Sequence, residues 1–193
     1  MEVVVTIVVG YLIGSIPVAN LVARRRGAGD LRNRGDQNPG YWNAKELLGR
    51  RAAIPVFVGD VAKGALAAGI GLLLADDGQW WLPYVGTGAA MVGHAFPVFA
   101  RFRGGRSVLT FVGGTMVYSP IAAAIAIALL LVVFAVTRSF SSAARAGMVA
   151  FPVVQLVVDG PYRTAATGVL MTFIGLRFLT ATRTPRNLAR GAR

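Results

Sequence analysis

The chain is organised as long apolar runs separated by short polar and basic stretches. Residues 3–23 and Pro120–Thr137 carry no charged side chain, and residues 52–75 carry only Asp60 and Lys63. A helix needs about 20 apolar residues to cross a bilayer at about 1.5 Å per residue, so each run is long enough. Further candidate membrane helices lie at residues 80–100, 146–158 and 164–176. The pattern predicts an all-α integral membrane protein.

Composition points in the same direction. Of the 193 residues, 55% are hydrophobic and 15% are charged, which is more apolar than a soluble domain of this length. The first apolar run has no basic stretch before it and no small-residue cleavage site after it, which favours a retained helix over a signal peptide. We expect one polytopic membrane domain over residues 1–193.

The basic residues are confined to alternate loops. Of the 20 Lys and Arg residues, 18 fall into four patches, at residues 24–51, 101–106, 138–145 and 177–193. The intervening loops are acidic or nearly uncharged, which is the asymmetry of the positive-inside rule. It explains the net charge of +12 without nucleic acid. We therefore expect the N-terminus outside, the C-terminus in the cytoplasm and no nucleic-acid partner.

This alternation requires the short segment 107–117 to run from the inner to the outer side of the membrane. Its 11 residues are too few to span a bilayer alone, so it should be a half-helix that its neighbours shield from lipid. The expected fold is a seven-helix bundle with one short half-helix. Gly64, Gly69 and Gly71 are predicted to let helices of this bundle approach closely.

Residue counts exclude several kinds of site. The sequence has no cysteine and one histidine. Disulfides, a thiol nucleophile and a His-rich metal site are therefore excluded, and nothing indicates a Ser-His-Asp triad.

An apolar, aromatic stretch runs directly into a basic, glycine-rich turn within residues 93–106. Backbone N–H groups of such a turn, the dipole of a following helix and arginine side chains all favour an anion. The turn at residues 101–107 is thus a candidate phosphate site, with the Ser107 hydroxyl as N-cap of the next helix. The alternative is a basic anchor at the membrane boundary.

The second candidate segment is the basic loop at residues 24–51. Within it, residues 35–43 read Gly-Asp-Gln-Asn-Pro-Gly-Tyr-Trp-Asn, a cluster of turn formers with amide side chains. Ordinary turn chemistry explains such a cluster. A polar loop of this length in a compact protein is, however, usually functional. Both interpretations stay open on these residues alone.

Four short motifs extend the argument to the whole chain. They are Gly14-Ser15-Ile16-Pro17, Asn38-Pro39-Gly40, Asp60-Val61-Ala62-Lys63-Gly64, and Gly93-His94-Ala95-Phe96-Pro97 with its Arg-Gly-Gly-Arg turn. In this order and spacing the chain resembles the bacterial acyl-phosphate-dependent glycerol-3-phosphate acyltransferases over nearly its whole length. The resemblance implies a multi-pass enzyme of the bacterial plasma membrane that needs neither metal nor cofactor. It leaves protein partners open.

The implied reaction belongs to phospholipid synthesis. An acyl group moves from acyl phosphate to the 1-hydroxyl of glycerol 3-phosphate, which gives lysophosphatidate. Both substrates carry phosphate and one carries a lipid tail. A cationic pocket at the cytoplasmic face, open to the lipid bilayer, would hold the two anions together.

The resemblance also assigns roles to residues of this chain. Those implied as catalytic are Asp36, Asn38, His94 and Asn187. Those implied as substrate- or phosphate-binding are Asn43, Arg103, Gly104, Gly105, Arg106, Ser107, Thr110 and Arg190. Asp60 and Lys63, three residues apart on one helix face, are predicted to form a structural ion pair inside the bundle. A hydrogen-bonded structural role is the alternative for the histidine.

The chain departs from the family pattern at several positions. Asp36 replaces a serine and Glu46 replaces an arginine, which together make the loop more negative by three charges. The histidine and the glutamate of the third family motif read Thr184 and Ala192. If the family reaction is retained, the two acidic side chains must be neutralised by neighbouring arginines or turned toward water.

These departures define the alternatives. One is a catalytically degenerate member of the family that binds a lipid phosphate. Another is acyl transfer to a different acceptor, where Asp36 accepts a hydrogen bond or a proton from the hydroxyl of an uncharged molecule. A small transporter is disfavoured because the sequence lacks paired inverted repeats with matching broken helices.

Overall fold

The computed structural model describes residues 1–180, and within this part the chain is helical with no β-strand. The α-helices of this part are α1 (Glu2–Gly14), α2 (Val18–Arg25), α3 (Tyr41–Leu48), α4 (Arg50–Leu74), α5 (Leu82–Ala95), α6 (Val108–Tyr118), α7 (Pro120–Thr137), α8 (Phe140–Asp159) and α9 (Pro161–Thr180). Short 3₁₀ turns lie at Leu31–Asn33 and Val98–Ala100. The predicted all-α class is confirmed for these residues.

Several helical stretches are suited to a bilayer. Those long and apolar enough to cross it are Glu2–Arg25, Arg50–Leu74, Pro120–Thr137 and Phe140–Asp159. The other three predicted membrane segments coincide with α5, α6 and α9. Of these, α5 has 14 residues and α6 has 11, both fewer than a straight crossing needs. All seven predicted segments are therefore helical, although the segment predicted at 80–100 is a helix only over Leu82–Ala95.

The first apolar run consists of two helices rather than one. The first helix ends at Gly14 and the second begins at Val18, with Pro17 between them. Proline has no N–H group and interrupts helical hydrogen bonding. The break allows α2, which buries Ala19, Asn20 and Ala23, to pack against α3 and α4.

The basic loop at residues 24–51 contains more regular structure than its sequence suggests. It includes the end of α2, one 3₁₀ turn and the whole of α3. The third helix ends at Leu48 and is followed by Gly49, whose φ of +85° is readily adopted only by glycine. Its apolar side packs in a cluster with α2 and α4, through Tyr41, Ala44, Leu47 and Leu48. This packing stabilises a helix of eight residues that would be marginal alone.

The centre of the fold is α4, which packs against α1, α5 and α6. Where α4 and α6 cross, a side-chain carbon on Gly64 would overlap the carbonyl oxygen of Thr110. One on Gly113 would overlap the carbonyl oxygen of Val61. The two backbones are therefore in direct contact, as is typical of small residues at membrane helix interfaces.

The other two glycines of α4 differ from each other. Gly71 faces the backbone of Leu82, so a side chain there would overlap α5. Around Gly69, by contrast, nothing lies within 4 Å of the position that a Cβ would take. The predicted close approach is wrong for Gly69, because this residue points away from the neighbouring helices.

The half-helix α6 is shielded as its length requires. At about 1.5 Å per residue its 11 residues cover roughly half of a bilayer's hydrocarbon thickness. The Phe111 ring lies edge-on to Phe151 of α8, with centroids 6.0 Å apart. Its buried residues are Thr110, Phe111, Gly113, Gly114, Thr115 and Tyr118. The buried side of α6 is thus covered by neighbouring helices, among them α4, α5 and α7.

Candidate active site

A cleft of about 250 Å³ opens beside the glycine-rich turn, between the 24–51 loop and the end of α9. Its lining is Arg32, Asp36, Gln37, Asn38, Phe96, Phe102, Arg103, Gly104, Arg106, Arg177 and Thr180. Four of these side chains are arginines and one is a carboxylate. The cleft is therefore strongly cationic, with aromatic rings at its margin, and suits a phosphate that carries an apolar group.

The glycine-rich turn uses its backbone differently from the prediction. The Gly104 N–H donates to the Ala95 carbonyl at 3.1 Å, and the Gly105 N–H donates to the His94 carbonyl at 3.0 Å. These carbonyls belong to the last turn of α5 and lack partners within the helix. The two predicted phosphate donors are thus occupied, and the turn closes the end of α5 instead. Gly104 still lines the cleft.

Ser107 is the residue before α6, as predicted, but its hydroxyl does not cap that helix. The backbone at Ser107 is left-handed, with φ of +64°, and its hydroxyl donates to the Met91 carbonyl at 2.7 Å. Ser107 is therefore the N-cap residue, as predicted, but the predicted hydroxyl cap is wrong because its side chain bonds to α5 instead. Thr110 is fully buried at the crossing with α4 and does not line the cleft.

The carboxylate of Asp36 is held on both sides. Its Oδ1 accepts a hydrogen bond from the Asn38 backbone N–H at 3.1 Å, and its Oδ2 lies 3.4 Å from Arg106 Nη1. Glu46, the other acidic replacement, is exposed on α3 and forms no ion pair within residues 1–180. One acidic side chain is therefore paired with an arginine, and the other does not line the cleft.

The two predicted asparagines lie in different places. Asn38 is partly exposed and lines the cleft. Asn43 is fully buried, and its amide donates to the carbonyls of Leu31 at 3.0 Å and Arg34 at 2.9 Å. Its oxygen accepts from the Asp36 backbone N–H at 3.3 Å. In this structure Asn43 is not positioned to bind substrate, and it organises the loop that carries Asp36 and Asn38.

Arg32, which sequence analysis did not single out, connects the loop to the glycine-rich turn. Its Nε lies 2.8 and 2.9 Å from the two carboxylate oxygens of Asp30, and its Nη1 donates to the Ala100 carbonyl. The hydrogen bond from Arg32 lowers the pKa of Asp30 below its usual range. In the sequence, the only sign of this ion pair is an aspartate two residues before an arginine.

Asp60, Lys63 and His94 form a buried group behind the turn. Lys63 Nζ lies 2.8 Å from Asp60 Oδ1, so the two residues are an ion pair inside the bundle. Lys63 Nζ is also 3.2 Å from His94 Nδ1. The same His94 nitrogen lies 3.6 Å from Asp60 Oδ1, so one edge of the imidazole faces both members of the ion pair.

His94 lies behind the cleft, and its catalytic role stays a prediction. Its side chain is buried and does not line the cleft, but it lines a smaller cavity that shares Arg103 and Gly104 with the cleft. A side-chain carbon on Gly105 would overlap His94 Nε2, so the turn packs directly on the imidazole. His94 therefore supports the floor of the site from behind.

Two further arginine contacts border the cleft. Arg177 of α9 donates from Nε and Nη2 to the Gly105 carbonyl at 3.4 and 3.3 Å, and it stacks 4.7 Å from the Phe96 ring centroid. Arg106 stacks 4.8 Å from the Phe178 ring centroid. Sequence analysis included Arg177 only in the last basic patch. A single arginine near the end of an apolar helix gives no pattern that would mark it as a site residue. The predicted residues Asn187 and Arg190, with Thr184 and Ala192, lie outside the described residues.

No group of three or more potential metal ligands occurs within the described part of the chain.

The family model for glycerol-3-phosphate acyltransferase matches residues 4–192. The chain belongs to the glycerol-3-phosphate acyltransferase family.

Named relatives agree with this membership. A glycerol-3-phosphate acyltransferase of Geobacillus kaustophilus is 38% identical over 172 residues, which cover 89% of this chain and 86% of the relative. One from Exiguobacterium sibiricum is 43% identical over 121 residues, which cover 63% of this chain and 57% of the relative. The resemblance that the sequence motifs indicated is thereby confirmed.

The fold has a counterpart among solved structures. A crystal structure of PlsY (YgiH), an integral membrane glycerol 3-phosphate acyltransferase in its glycerol 3-phosphate form, matches with a TM-score of 0.81 at 28% identity. The match covers 92% of this chain and 88% of PlsY. Together with the long apolar helices, it identifies this family member as an integral membrane protein.

Proposed function

We propose that this protein transfers an acyl group from acyl phosphate to the 1-hydroxyl of glycerol 3-phosphate at the cationic cleft. The observation that carries the proposal is the cleft itself, where four arginines surround a space of about 250 Å³ in a chain of the acyltransferase family. Two phosphate-bearing substrates need such an excess of positive charge to lie side by side.

The reaction needs positioning and charge stabilisation more than a dedicated nucleophile. The acceptor hydroxyl oxygen bonds to the acyl carbonyl carbon, and the bond from that carbon to the phosphate oxygen breaks. Inorganic phosphate leaves, and the hydroxyl proton is transferred to it. Arg103 and Arg106 stabilise the negative charge on the leaving phosphate, and the Asn38 amide is placed to bind a substrate oxygen.

Both acidic replacements are compatible with this reaction. Arg106 pairs with Asp36, and Glu46 is exposed on α3 and does not line the cleft. Arg103 and Arg177 have no carboxylate partner within residues 1–180 and remain to bind phosphate beside Arg106. The loss of charge in the loop sequence is thus offset by arginines that other segments supply.

A second candidate is acyl transfer to an uncharged polyol. The observation that favours it is that the Asp36 carboxylate lines the cleft, where a serine would be neutral. A carboxylate accepts a hydrogen bond from a hydroxyl and repels a phosphate at the same position. If neither acceptor is used, the remaining alternative is a degenerate protein that only binds lipid phosphate.

The test is an assay of purified protein in detergent or liposomes, with acyl phosphate and a panel of acceptors. We expect release of inorganic phosphate with glycerol 3-phosphate and little with glycerol. The reverse preference would support the second candidate. If acyl phosphate is not consumed with any acceptor of the panel, only the binding role remains.

We further propose seven crossings, with the N-terminus outside and the C-terminus in the cytoplasm. The support is the alternation of basic patches and the presence of a helix at each of the seven predicted segments. In this arrangement the cleft opens on the cytoplasmic side. A tag at the C-terminus should be protected in intact spheroplasts and one at the N-terminus should be accessible; both ends on one side would overturn the proposal.

A further inference from the structure

The guanidinium of Arg177 enters the cleft beside the glycine-rich turn. It is carried by the last turn of α9 and lines the cleft with Arg103 and Arg106. One edge of the group, formed by Nε and Nη2, faces the carbonyl oxygen of Gly105. The other edge, formed by Nη1 and Nη2, has no hydrogen-bond acceptor within residues 1–180.

Anchoring of α9 does not account for this arrangement. The two distances to the Gly105 oxygen are 3.4 and 3.3 Å, whereas charge-assisted hydrogen bonds are typically about 2.7–2.9 Å. The contact is therefore a weak one for an arginine. Within the described residues, no carboxylate lies within 4 Å of Arg177, so its charge has no protein counterpart there.

The orientation of the group is instead fixed by an aromatic ring. Phe96, at the end of α5, lies 4.7 Å from the Arg177 guanidinium carbon. The neighbouring Phe178 holds Arg106 in the same way at 4.8 Å. Stacking holds a guanidinium plane while leaving its N–H groups available for a planar or tetrahedral anion. Two arginines are thus held at one side of the cleft, with Asp36 as the partner of only one of them.

We propose that Arg177 is a ligand of a substrate phosphate, with Phe96 as the residue that positions it. The fork of Nη1 and Nη2 binds two phosphate oxygens, as guanidinium groups commonly do. The inference rests on the proposed acyl transfer and adds a binding residue to it. Either substrate supplies the chemistry, since acyl phosphate and glycerol 3-phosphate both carry phosphate.

Variants of Arg177 test this assignment. Arg177→Gln removes the charge, and Arg177→Lys keeps the charge but loses the fork. Arg163→Gln is the matched control, because Arg163 lies on the same helix, stacks 6.0 Å from Trp80 and does not line the cleft. The readouts are the KM for each substrate with the other saturating, inhibition by inorganic phosphate, and the Tm of each purified variant.

We expect Arg177→Gln to raise the KM for at least one substrate by about tenfold or more and to weaken inhibition by inorganic phosphate by a similar factor. Arg177→Lys should lie between this variant and the wild type, and Arg163→Gln should match the wild type. The substrate whose KM rises identifies the phosphate that Arg177 binds. A lowered Tm in the Gln and Lys variants with unchanged phosphate inhibition would overturn the proposal and leave Arg177 as an anchor of α9.

Failure of the proposed function is distinguishable from failure of this inference. If the wild type turns over no acyl phosphate, the acyl transfer is refuted while phosphate binding is still measurable as a rise in Tm with inorganic phosphate. In that case, loss of the rise in Arg177→Gln would support the ligand role, and an equal rise in both proteins would refute it.

Discussion

The carboxylate of Asp36 and the guanidinium of Arg106 lie 3.4 Å apart, although 70 residues separate them in the sequence. The pair joins the 24–51 loop to the glycine-rich turn at the edge of the cleft. It explains how an acidic residue is accommodated where the family pattern has a neutral one. Both side chains are partly exposed, so the pair itself contributes little to stability, typically about 0–1 kcal/mol.

Restoring the family residues should therefore have a small effect. We expect the double variant Asp36→Ser, Glu46→Arg to change turnover of glycerol 3-phosphate by less than about fivefold, because one side chain is already neutralised and the other faces water. Steady-state kinetics with acyl phosphate saturating would measure this. A rise of more than about tenfold would mean that the Asp36 carboxylate obstructs the phosphate site.

The same variant separates the two candidate acceptors. If Asp36 binds the hydroxyl of a neutral polyol, the double variant should lose activity toward glycerol while it gains activity toward glycerol 3-phosphate. If the family reaction is retained, activity toward glycerol should stay low in both proteins. Arg106→Ala is the companion variant, and it should raise the KM for a phosphate substrate because it leaves Asp36 unpaired.

Stability should depend on Asp30 in a defined pH range. Because Arg32 lowers the pKa of Asp30, the charged carboxylate stabilises the folded loop above its unfolded pKa of about 3.9, and this contribution is lost as the pH falls through the folded pKa. We expect Asp30→Asn to lower the Tm at pH 7 and the difference from wild type to shrink below about pH 4. Thermal melts of both detergent-solubilised proteins would measure it. A Tm difference between the two proteins that stays constant from pH 7 to pH 3 would contradict a stabilising Asp30–Arg32 pair.

Two glycines on one helix provide a test of the packing. Gly64→Ala places a methyl group against the Thr110 carbonyl of α6. We therefore expect the free energy of unfolding to fall by about 1–3 kcal/mol or more, seen as a lower Tm and less folded protein. Gly69→Ala meets nothing within 4 Å and should leave the Tm unchanged or raise it slightly. Equal effects of the two substitutions would contradict the close contact of α4 and α6.

Much of the fold was predictable from sequence, because membrane helices are specified by the length of apolar runs. A helix occurs at each of the seven predicted segments, including the short one at α6. The unpredicted element is α3, whose apolar residues Tyr41, Ala44 and Leu48 follow a helical spacing, but only over eight residues. Its stability comes from contacts with α2 and α4, which are tertiary and not visible in the local sequence.

The segments that line the cleft were predictable from the sequence, but their contacts were not. Motifs placed Asp36, Asn38 and Arg106 together, and they line one cleft. They also suggested that the N–H groups of Gly104 and Gly105 face phosphate, whereas the end of α5 uses both. Which donors remain available depends on neighbouring helix ends, and no motif encodes that. The contribution of Arg177 is a consequence of how α9 packs, so it appears only in three dimensions.

The most direct measurement of the central claim is product formation by the purified wild-type protein supplied with acyl phosphate and glycerol 3-phosphate. Mass spectrometry would detect lysophosphatidate while a colorimetric assay follows inorganic phosphate. We predict that both products appear in equal amounts and that an Arg103→Ala, Arg106→Ala double variant forms them at a rate lower by about two orders of magnitude. No lysophosphatidate from the wild type, under conditions where the Geobacillus kaustophilus relative is active, would contradict the proposed acyl transfer.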